Sequence, residues 1–312
     1  MNKTKVVFMG TPEFSVPVLE GLIENYQVIG VVTQPDKEVG RKKVLTPPPI
    51  KVLAKNHNIP VFQPRKIKED YSDIVNLKPD LIVTCAYGQI IPKVILDLPK
   101  YGCINVHASL LPKLRGGAPI HKAIINGYSK TGITIMYMVE KMDAGDIISS
   151  KETIITKEDT FGRLHDRLSL MGKDLLLETL PDLLEGKIKT ISQNEEEVTY
   201  AYNVTREEEH IDFNKSTLEI YNQIRGLNPH PGSYAILDGK IMKIYASQIS
   251  DSFCLERSNG EISRIYKDSF AVATKDGEIL ITEIQPEGKK RILVKDYFNG
   301  VDGNSLLGKI FK

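Results

Sequence analysis

The chain has 312 residues, 41% of them hydrophobic and 26% charged, with a formal net charge of +1 at pH 7. That length predicts two domains, and the near-neutral balance excludes a global attraction to nucleic acid or membrane, so such binding has to come from a local patch. Cys85, Cys103 and Cys254 stand far apart with no C-x-x-C pair, which argues against a disulfide framework and a zinc site and reads as reduced core cysteines. No apolar run approaches the roughly 18 residues of a membrane span, and the opening "MNKTKVVFMGTPEF" is unlike a signal peptide, so a cytoplasmic protein is expected.

Through the first half, "KVVFMG", "VIGVVTQ", "PVFQ", "DLIVTCA" and "CINVHAS" are short Val- and Ile-rich runs, each followed by a helical or loop stretch. Apolar on both faces and alternating with helices, they predict a mostly parallel, doubly wound, Rossmann-like α/β sheet. The first turn, "FMGTPEF", has no dinucleotide fingerprint, because G-x-G-x-x-G would need glycine where Pro12 and Ser15 stand. Gly10 can still border a ligand crevice at the strand ends. The next connection, "PDKEVGRKKVLTPPPIK", exceeds the roughly 2 to 6 residues usual for a βα loop and carries Lys37, Arg41, Lys42, Lys43 and Lys51.

Residues 131–154 read as two strands around the turn Asp143-Ala144-Gly145. "DTFGRLHDRLSLMGKDLLLETLPDLLEG" reads as a helix that closes at Gly186 and ends a first domain spanning 1–188. Residues 189–206 are polar, lack a sustained period and read as a linker. Residues 207–312 predict a small antiparallel barrel, with a helix from about Thr217 to Gly226 and hairpin signals at Asp238-Gly239 and Asp276-Gly277. Acidic residues slightly outnumber basic ones there, and only "GKKR", 288–291, is a compact positive cluster.

The chemistry concentrates in "INVHASLLPKLRGGAPIH", residues 104–121. Period-two alternation places Asn105 and His107 on one face of a strand. A neutral amide donor beside an imidazole suits an oxyanion developing at a carbonyl carbon. A carboxylate from "MDAGD", Asp143 or Asp146, can orient the imidazole. Taken singly, each residue has an ordinary structural reading; the combination is what points to catalysis. With no G-x-S-x-G elbow and no second histidine at metal spacing, direct transfer of an activated acyl group to an incoming nucleophile is favoured over an acyl-enzyme or a metal hydrolase.

"NVHASLLPKLRGGAPI" together with "MDAGDI" resembles the active-site signature of the folate-dependent formyltransferases. "FMGTPEFSVPVLEGL", "GVVTQPDKEVGRKKVLTPPPIKVLA", "PVFQP", "AYGQIIP", "IDF", "NPHPGSYA" and "QPEGKK" extend the resemblance over nearly the whole chain to the members whose acceptor is methionyl-tRNA. The resemblance implies a Rossmann-like formyl-transfer domain followed by an OB-like barrel, 10-formyltetrahydrofolate as co-substrate, no metal, and a monomer serving translation initiation. It also implies Asn105, His107 and Asp143 as catalytic residues, and Ser109, Leu110, Leu111 and Pro112 as a folate-binding wall. Arg41, Lys42 and Lys43, in turn, become contacts to a charged initiator tRNA, with the C-terminal domain also touching it. Gly116, Gly117 and Ala118 are expected to leave room for the formyl group and amine.

Asn203, Phe213 and His230 depart from the family pattern, standing where Lys, Trp and Trp are common. The competing readings keep the chemistry and change the acceptor: a sugar-nucleotide amine, a ribonucleotide glycinamide, or water in a deformylase. A non-catalytic RNA-binding module would be expected to lack one of Asn105, His107 and Asp143, and all three are present.

Overall fold

The computed structural model describes residues 2–40, 42–250 and 257–312; Arg41 and Cys254 lie outside the described residues. The chain forms two compact units that interleave along the sequence. The first comprises Met1–Pro119, Lys130–Ile154 and His165–Tyr202, and the second Ile120–Ser129, Ile155–Leu164 and Asn203–Lys312. Two segments of the stretch expected to be the first domain therefore group with the second unit. The bonds within that unit give the reason: Arg225 Nη1 donates to the Thr156 and Asp159 carbonyls at 2.9 Å each, and Gly162 N donates to Asn228 O at 3.0 Å. Pairing across so many residues leaves no periodic trace in sequence.

In the first unit, strands β1 (Asn2–Gly10), β2 (Tyr26–Val32), β3 (Lys37–Val39), β4 (Val44–Thr46), β5 (Val61–Phe62), β6 (Leu81–Cys85), β7 (Cys103–His107), β8 (Lys130–Tyr137) and β9 (Ile147–Ile154) follow in chain order. All but β3 and β4 form one sheet of order β5-β2-β1-β6-β7-β8-β9. Its first five strands are parallel, and β8 and β9 are added antiparallel. The Val- and Ile-rich runs of the sequence are these strands: Val6, Val7, Phe8 and Met9 are wholly buried, each contributing about 1.5–3 kcal/mol by leaving water. β3 and β4 make a separate antiparallel hairpin inside the long basic connection.

Helices α1 (Val16–Asn25), α2 (Pro49–Asn56), α3 (Ser72–Asn76) and α4 (Lys93–Leu96) serve the crossovers, with α5 (Pro119–Ile125) and α6 (Phe161–Leu184) following. Pro at the first turn of α1 and α2 suits positions whose N–H has no intrahelical acceptor. Strand order reverses between β1 and β6, which leaves a crevice beyond their carboxyl ends. Gly10 and Cys85 are paired across that switch. A Cβ on Gly10 would stand 2.9 Å from the Cys85 carbonyl, so the bare glycine is required by close packing.

The α6 residue Gly172 sits so close to Val106 that an added Cβ would be 2.9 Å from its methyl. Val106 thus faces α6, and alternation turns Cys103, Asn105 and His107 to the other side of the sheet. Cys103 packs there with Val7, Met9, Val32, Ile82 and Ile95. Burial pushes the Cys85 thiol up to about 12 and raises that of Cys103 as well, which makes both inert packing residues.

The second unit adds α7 (Arg206–Glu209), α8 (Thr217–Gly226) and β10 (Ser233–Leu237), β11 (Lys240–Ile249), β12 (Ile262–Ile265), β13 (Phe270–Ala273), β14 (Glu278–Pro286) and β15 (Ile292–Leu293), then α9 (Val294–Tyr297). A capping box between Ser216 and Glu219 starts α8, where the sequence places the helix. The sheet is antiparallel, β10-β11-β14-β13-β12, with β15 beside β14. Residues 309–312 close it: Ile262 N donates to Lys309 O at 2.8 Å on one edge, and Ile236 and Lys312 exchange bonds of 2.8 and 2.9 Å on the other. Phe213 is a core residue stacked on Phe311 at 5.7 Å. Among the described residues, no helix is long and apolar enough to cross a membrane.

Candidate active site

His107 ends β7 with 6% of its surface exposed. Its Nε2 lies 3.1 Å from the carbonyl of Leu114. A carbonyl only accepts, so Nε2 carries a proton and Nδ1 is the ring nitrogen left for other partners. Nδ1 faces Asp143 Oδ2 at 3.8 Å, within ion-pair reach and beyond a hydrogen bond.

Asn105, two positions earlier, is ordered from the neighbouring strand. Thr84 Oγ1 lies 2.8 Å from Asn105 Oδ1, and the hydroxyl that donates there leaves the two Nδ2 protons of the amide for another acceptor. Asn105 and His107 therefore face one side of the sheet, as alternation predicts, Asn105 with free Nδ2 donors and His107 with its Nδ1.

Asp143 occupies the loop between β8 and β9 with a φ of 48°, a left-handed conformation that Asp tolerates in tight turns. Its Oδ2 accepts from Gly116 N at 2.8 Å. Gln193 Nε2 donates to the Asp143 carbonyl at 2.9 Å and to the Gly145 carbonyl at 2.7 Å. At Gly145 a Cβ would be 1.9 Å from the Tyr137 carbonyl, so the turn can close only on glycine. Asp146, the other carboxylate weighed from sequence, points away: it accepts from Ser192 Oγ at 2.9 Å and Thr190 Oγ1 at 3.4 Å.

Gln193 belongs to the segment read as a linker. The structure lays residues 190–202 back along the site as a strap. Ile147 and Ile191 exchange backbone bonds, Arg115 N donates to Thr199 O at 2.9 Å, and Ala201 N donates to Arg115 O at 2.7 Å. Arg115 itself is wholly buried. Its Nε and Nη2 donate to Gln193 Oε1 at 3.0 and 2.8 Å, and Nη2 also meets Glu195 Oε1 at 3.0 Å. Nη1 is buried without a hydrogen-bond partner among the described residues. Gly116 has a φ of 121°, and a Cβ there would sit 2.7 Å from the Ala201 carbonyl. Its smallness thus serves contact with the strap, in the conformation from which its N–H donates to Asp143.

The Ser109–Pro112 step is a tight turn with a cis Leu111–Pro112 bond. Thr134 Oγ1 donates to Ser109 O at 2.7 Å and accepts from Leu111 N at 3.2 Å. Ser109 is fully buried and its hydroxyl donates to Lys113 O at 2.7 Å, while Leu110 and Pro112 are partly exposed. What this turn can offer a flat ring is therefore the Leu110 and Pro112 side chains, with Ser109 as the internal brace. Further round, at the ends of β1, β2 and β6, the Tyr87 carbonyl accepts from Thr11 Oγ1 at 3.0 Å and from Gln34 Nε2 at 3.1 Å. Among the described residues, no group of three His, Cys, Asp or Glu is placed to hold a metal ion.

Residues 4–180 match the formyl transferase family, and residues 203–302 match the formyl transferase C-terminal domain. The chain belongs to the formyl transferase family. It is 54% identical over 312 residues to the methionyl-tRNA formyltransferase of Bacillus velezensis, covering 98% of each chain. To that of Bacillus cereus it is 57% identical over 300 residues, covering 95% of each. Among solved structures, the N-formyltransferase of Helicobacter canadensis in complex with folinic acid and dTDP-3-aminofucose shares the fold. Its TM-score is 0.67 at 23% identity, covering 92% of this chain and 100% of that one. The protein is thus a formyl-transferring enzyme, with the Rossmann-like domain and small β domain expected from its sequence.

The structure brings Asn105, His107 and Asp143 onto one side of the sheet at the end of β7. Lys42 and Lys43 are exposed on the β3–β4 hairpin, and Arg41 of the same run lies outside the described residues. Sequence reasoning passed over Thr84, Arg115, Thr134 and Gln193. Only Arg115 carried a usable signal, a lone charge inside an otherwise small and apolar stretch.

Proposed function

We propose that this enzyme transfers the formyl group of 10-formyltetrahydrofolate to the free α-amino group of methionyl-tRNA, the initiator species, in support of translation initiation. The observation that carries the reading is the identity of 54–57% along nearly the full length to methionyl-tRNA formyltransferases. In this chain it is joined to an intact Asn105, His107 and Asp143. The domains are assigned as 1–188 for formyl transfer, 189–206 as the connecting segment and 207–312 as the tRNA-contacting barrel.

The uncharged amine attacks the formyl carbon, forming a C–N bond and a tetrahedral centre whose oxygen becomes an anion. Asn105 Nδ2 donates to that oxygen, and His107 Nδ1 donates to it when the imidazole carries both protons, since Nε2 is engaged by the Leu114 carbonyl. Asp143 orients the imidazole and takes the amine proton, directly or through a water. Collapse restores the carbonyl and breaks the bond to N10, which departs with a proton; its lone pair is delocalised into an aryl ring, which makes it a tolerable leaving group. Leu110 and Pro112, braced by Ser109 and backed by the buried Leu111, supply the apolar wall against the folate ring. Arg41, Lys42 and Lys43 supply cations for the RNA backbone, and phosphate contacts of this kind weaken steeply with salt.

The test offers the purified protein 10-formyltetrahydrofolate with methionyl initiator tRNA, an aminated sugar nucleotide, or water alone. Formylated methionyl-tRNA is expected as the main product. Transfer only to the sugar, or release of formate in water alone, would overturn the acceptor and spare the oxyanion chemistry.

A further inference from the structure

Two rings on the strap stand out from the other aromatics. Tyr200 and Tyr202 are stacked, with centroids 5.6 Å apart and planes within 4°, yet they are 45% and 64% exposed. The residue between them, Ala201, is wholly buried. An extended segment alternates its side chains, so burying Ala201 turns both tyrosines to the same outward face. Nothing in their packing explains why two large rings should be held parallel in solvent, where their apolar faces gain little.

Their place in the bonding network supplies a reason. Ala201 is clamped on both sides: its N–H donates to Arg115 O at 2.7 Å, and its carbonyl accepts from Ala118 N at 3.0 Å. The intervening Gly116 N–H donates to Asp143 Oδ2. Two hydrogen bonds and a peptide step therefore separate the backbone between the tyrosines from the catalytic carboxylate. The ledge thus belongs to the same bonded segment that fixes the carboxylate which the acceptor's amine approaches in the proposed reaction.

We infer that Tyr200 and Tyr202 form a stacking ledge for the unpaired 3′-terminal bases of an RNA acceptor. The inference rests on the acceptor being methionyl-tRNA. In such a substrate the amino acid is esterified to the terminal nucleotide, a few bonds from its base, and that nucleotide belongs to a single-stranded end. Unpaired bases are held by aromatic faces in a sequence-tolerant way, and parallel, solvent-facing tyrosines suit that use. Stacking needs no net positive charge, which fits a strap that also carries Glu195, Glu196 and Glu197. A ledge of this kind would grip the end common to all acceptors and leave discrimination among them to other parts of the protein.

The test compares the wild-type protein with Y200L/Y202L, which keeps apolar bulk without a π face, and Y200F/Y202F, which keeps the rings. The RNA acceptor carries 2-aminopurine as its 3′-terminal base, whose fluorescence is quenched on stacking; the chain has no Trp to obscure it. The leucine variant is expected to lose the quenching and to raise KM for methionyl-tRNA between about fivefold and a hundredfold. KM for 10-formyltetrahydrofolate, kcat at saturating RNA and the melting temperature should be retained, and the phenylalanine variant should match wild type. Unchanged quenching and KM in the leucine variant, or a rise confined to folate KM, would overturn the ledge. A wild-type protein that formylates only an aminated sugar nucleotide would instead overturn the acceptor reading on which the ledge depends.

Discussion

Gln193 and Asp143 are 50 residues apart in sequence and joined by a 2.9 Å hydrogen bond from the Gln193 amide to the Asp143 carbonyl. The same nitrogen holds the Gly145 carbonyl, and the amide oxygen receives two donors from buried Arg115. One side chain thus ties the loop that presents Asp143 to the loop that follows His107. Gln193 fixes the position of Asp143, and through it would act on the proposed reaction as a positioning residue.

Gln193→Ala removes two donors and one acceptor, leaving Arg115 short of a partner at a cost of about 1–3 kcal/mol of stability. Misplacement of a catalytic group by about an ångström can lower turnover by about a hundredfold. Gln193→Glu separates the two effects, because it keeps an acceptor for Arg115 and offers no donor to the carbonyls of Asp143 and Gly145. The expected result is a kcat loss of about tenfold or more in both variants, with KM for folate little changed and stability recovered in part only in the glutamate variant, which pairs Arg115 but leaves the two carbonyls unpaired. Steady-state rates with denaturant unfolding check this; normal kcat in Gln193→Glu would show that the loop holds itself.

Asn105→Ala deletes the proposed oxyanion donor, and loss of one such donor costs on the order of 3 kcal/mol, so kcat should fall by about a hundredfold or more. Thr84→Val is the milder probe: it keeps the shape of the side chain and loses the hydroxyl 2.8 Å from Asn105 Oδ1. A net hydrogen bond of about 1 kcal/mol predicts a severalfold fall in kcat. Single-turnover rates of formyl transfer measure both, and near-normal chemistry in Asn105→Ala would remove it from the mechanism.

Thr134 is wholly buried and serves both sides of the Ser109–Leu111 turn. Thr134→Val strands a buried carbonyl and a buried N–H, which should cost about 1–3 kcal/mol for each group left unpaired. The loosened turn carries Leu110 and Pro112 of the proposed folate wall, so KM for 10-formyltetrahydrofolate should rise while KM for the acceptor stays constant. Urea denaturation and folate titration together decide it.

Lys141 and Arg115 hold the Glu195 carboxyl below the usual carboxylate range. A group whose folded pKa is depressed stabilises the fold above its ordinary pKa and loses that contribution as pH falls through the lowered value. Glu195→Gln should therefore lower the melting temperature at neutral pH, with the difference from wild type shrinking on acidification through and below the carboxylate range. Because Glu195 is 57% exposed, salt should shrink the difference too. A difference that grows on acidification would overturn the assignment.

Much of this enzyme is local information and can be read along the chain. Hydrophobic runs place β1, β2, β6 and β7, the Ser216 and Glu219 pair starts α8, and the Asp238-Gly239 turn joins β10 to β11, because each depends on neighbours a few residues away. The spacing of Asn105 and His107 puts them on one face for the same reason. Tertiary structure decided the rest. It selected Asp143 over Asp146, since only the fold determines which carboxylate of one turn looks at His107. It made a strap of residues 190–202, whose partners lie at 114–118 and 143–147, and gave Gly116 its purpose there. Hydrogen bonds such as these join segments distant in sequence, and their partners leave no period, cap or turn signal in the segments they join.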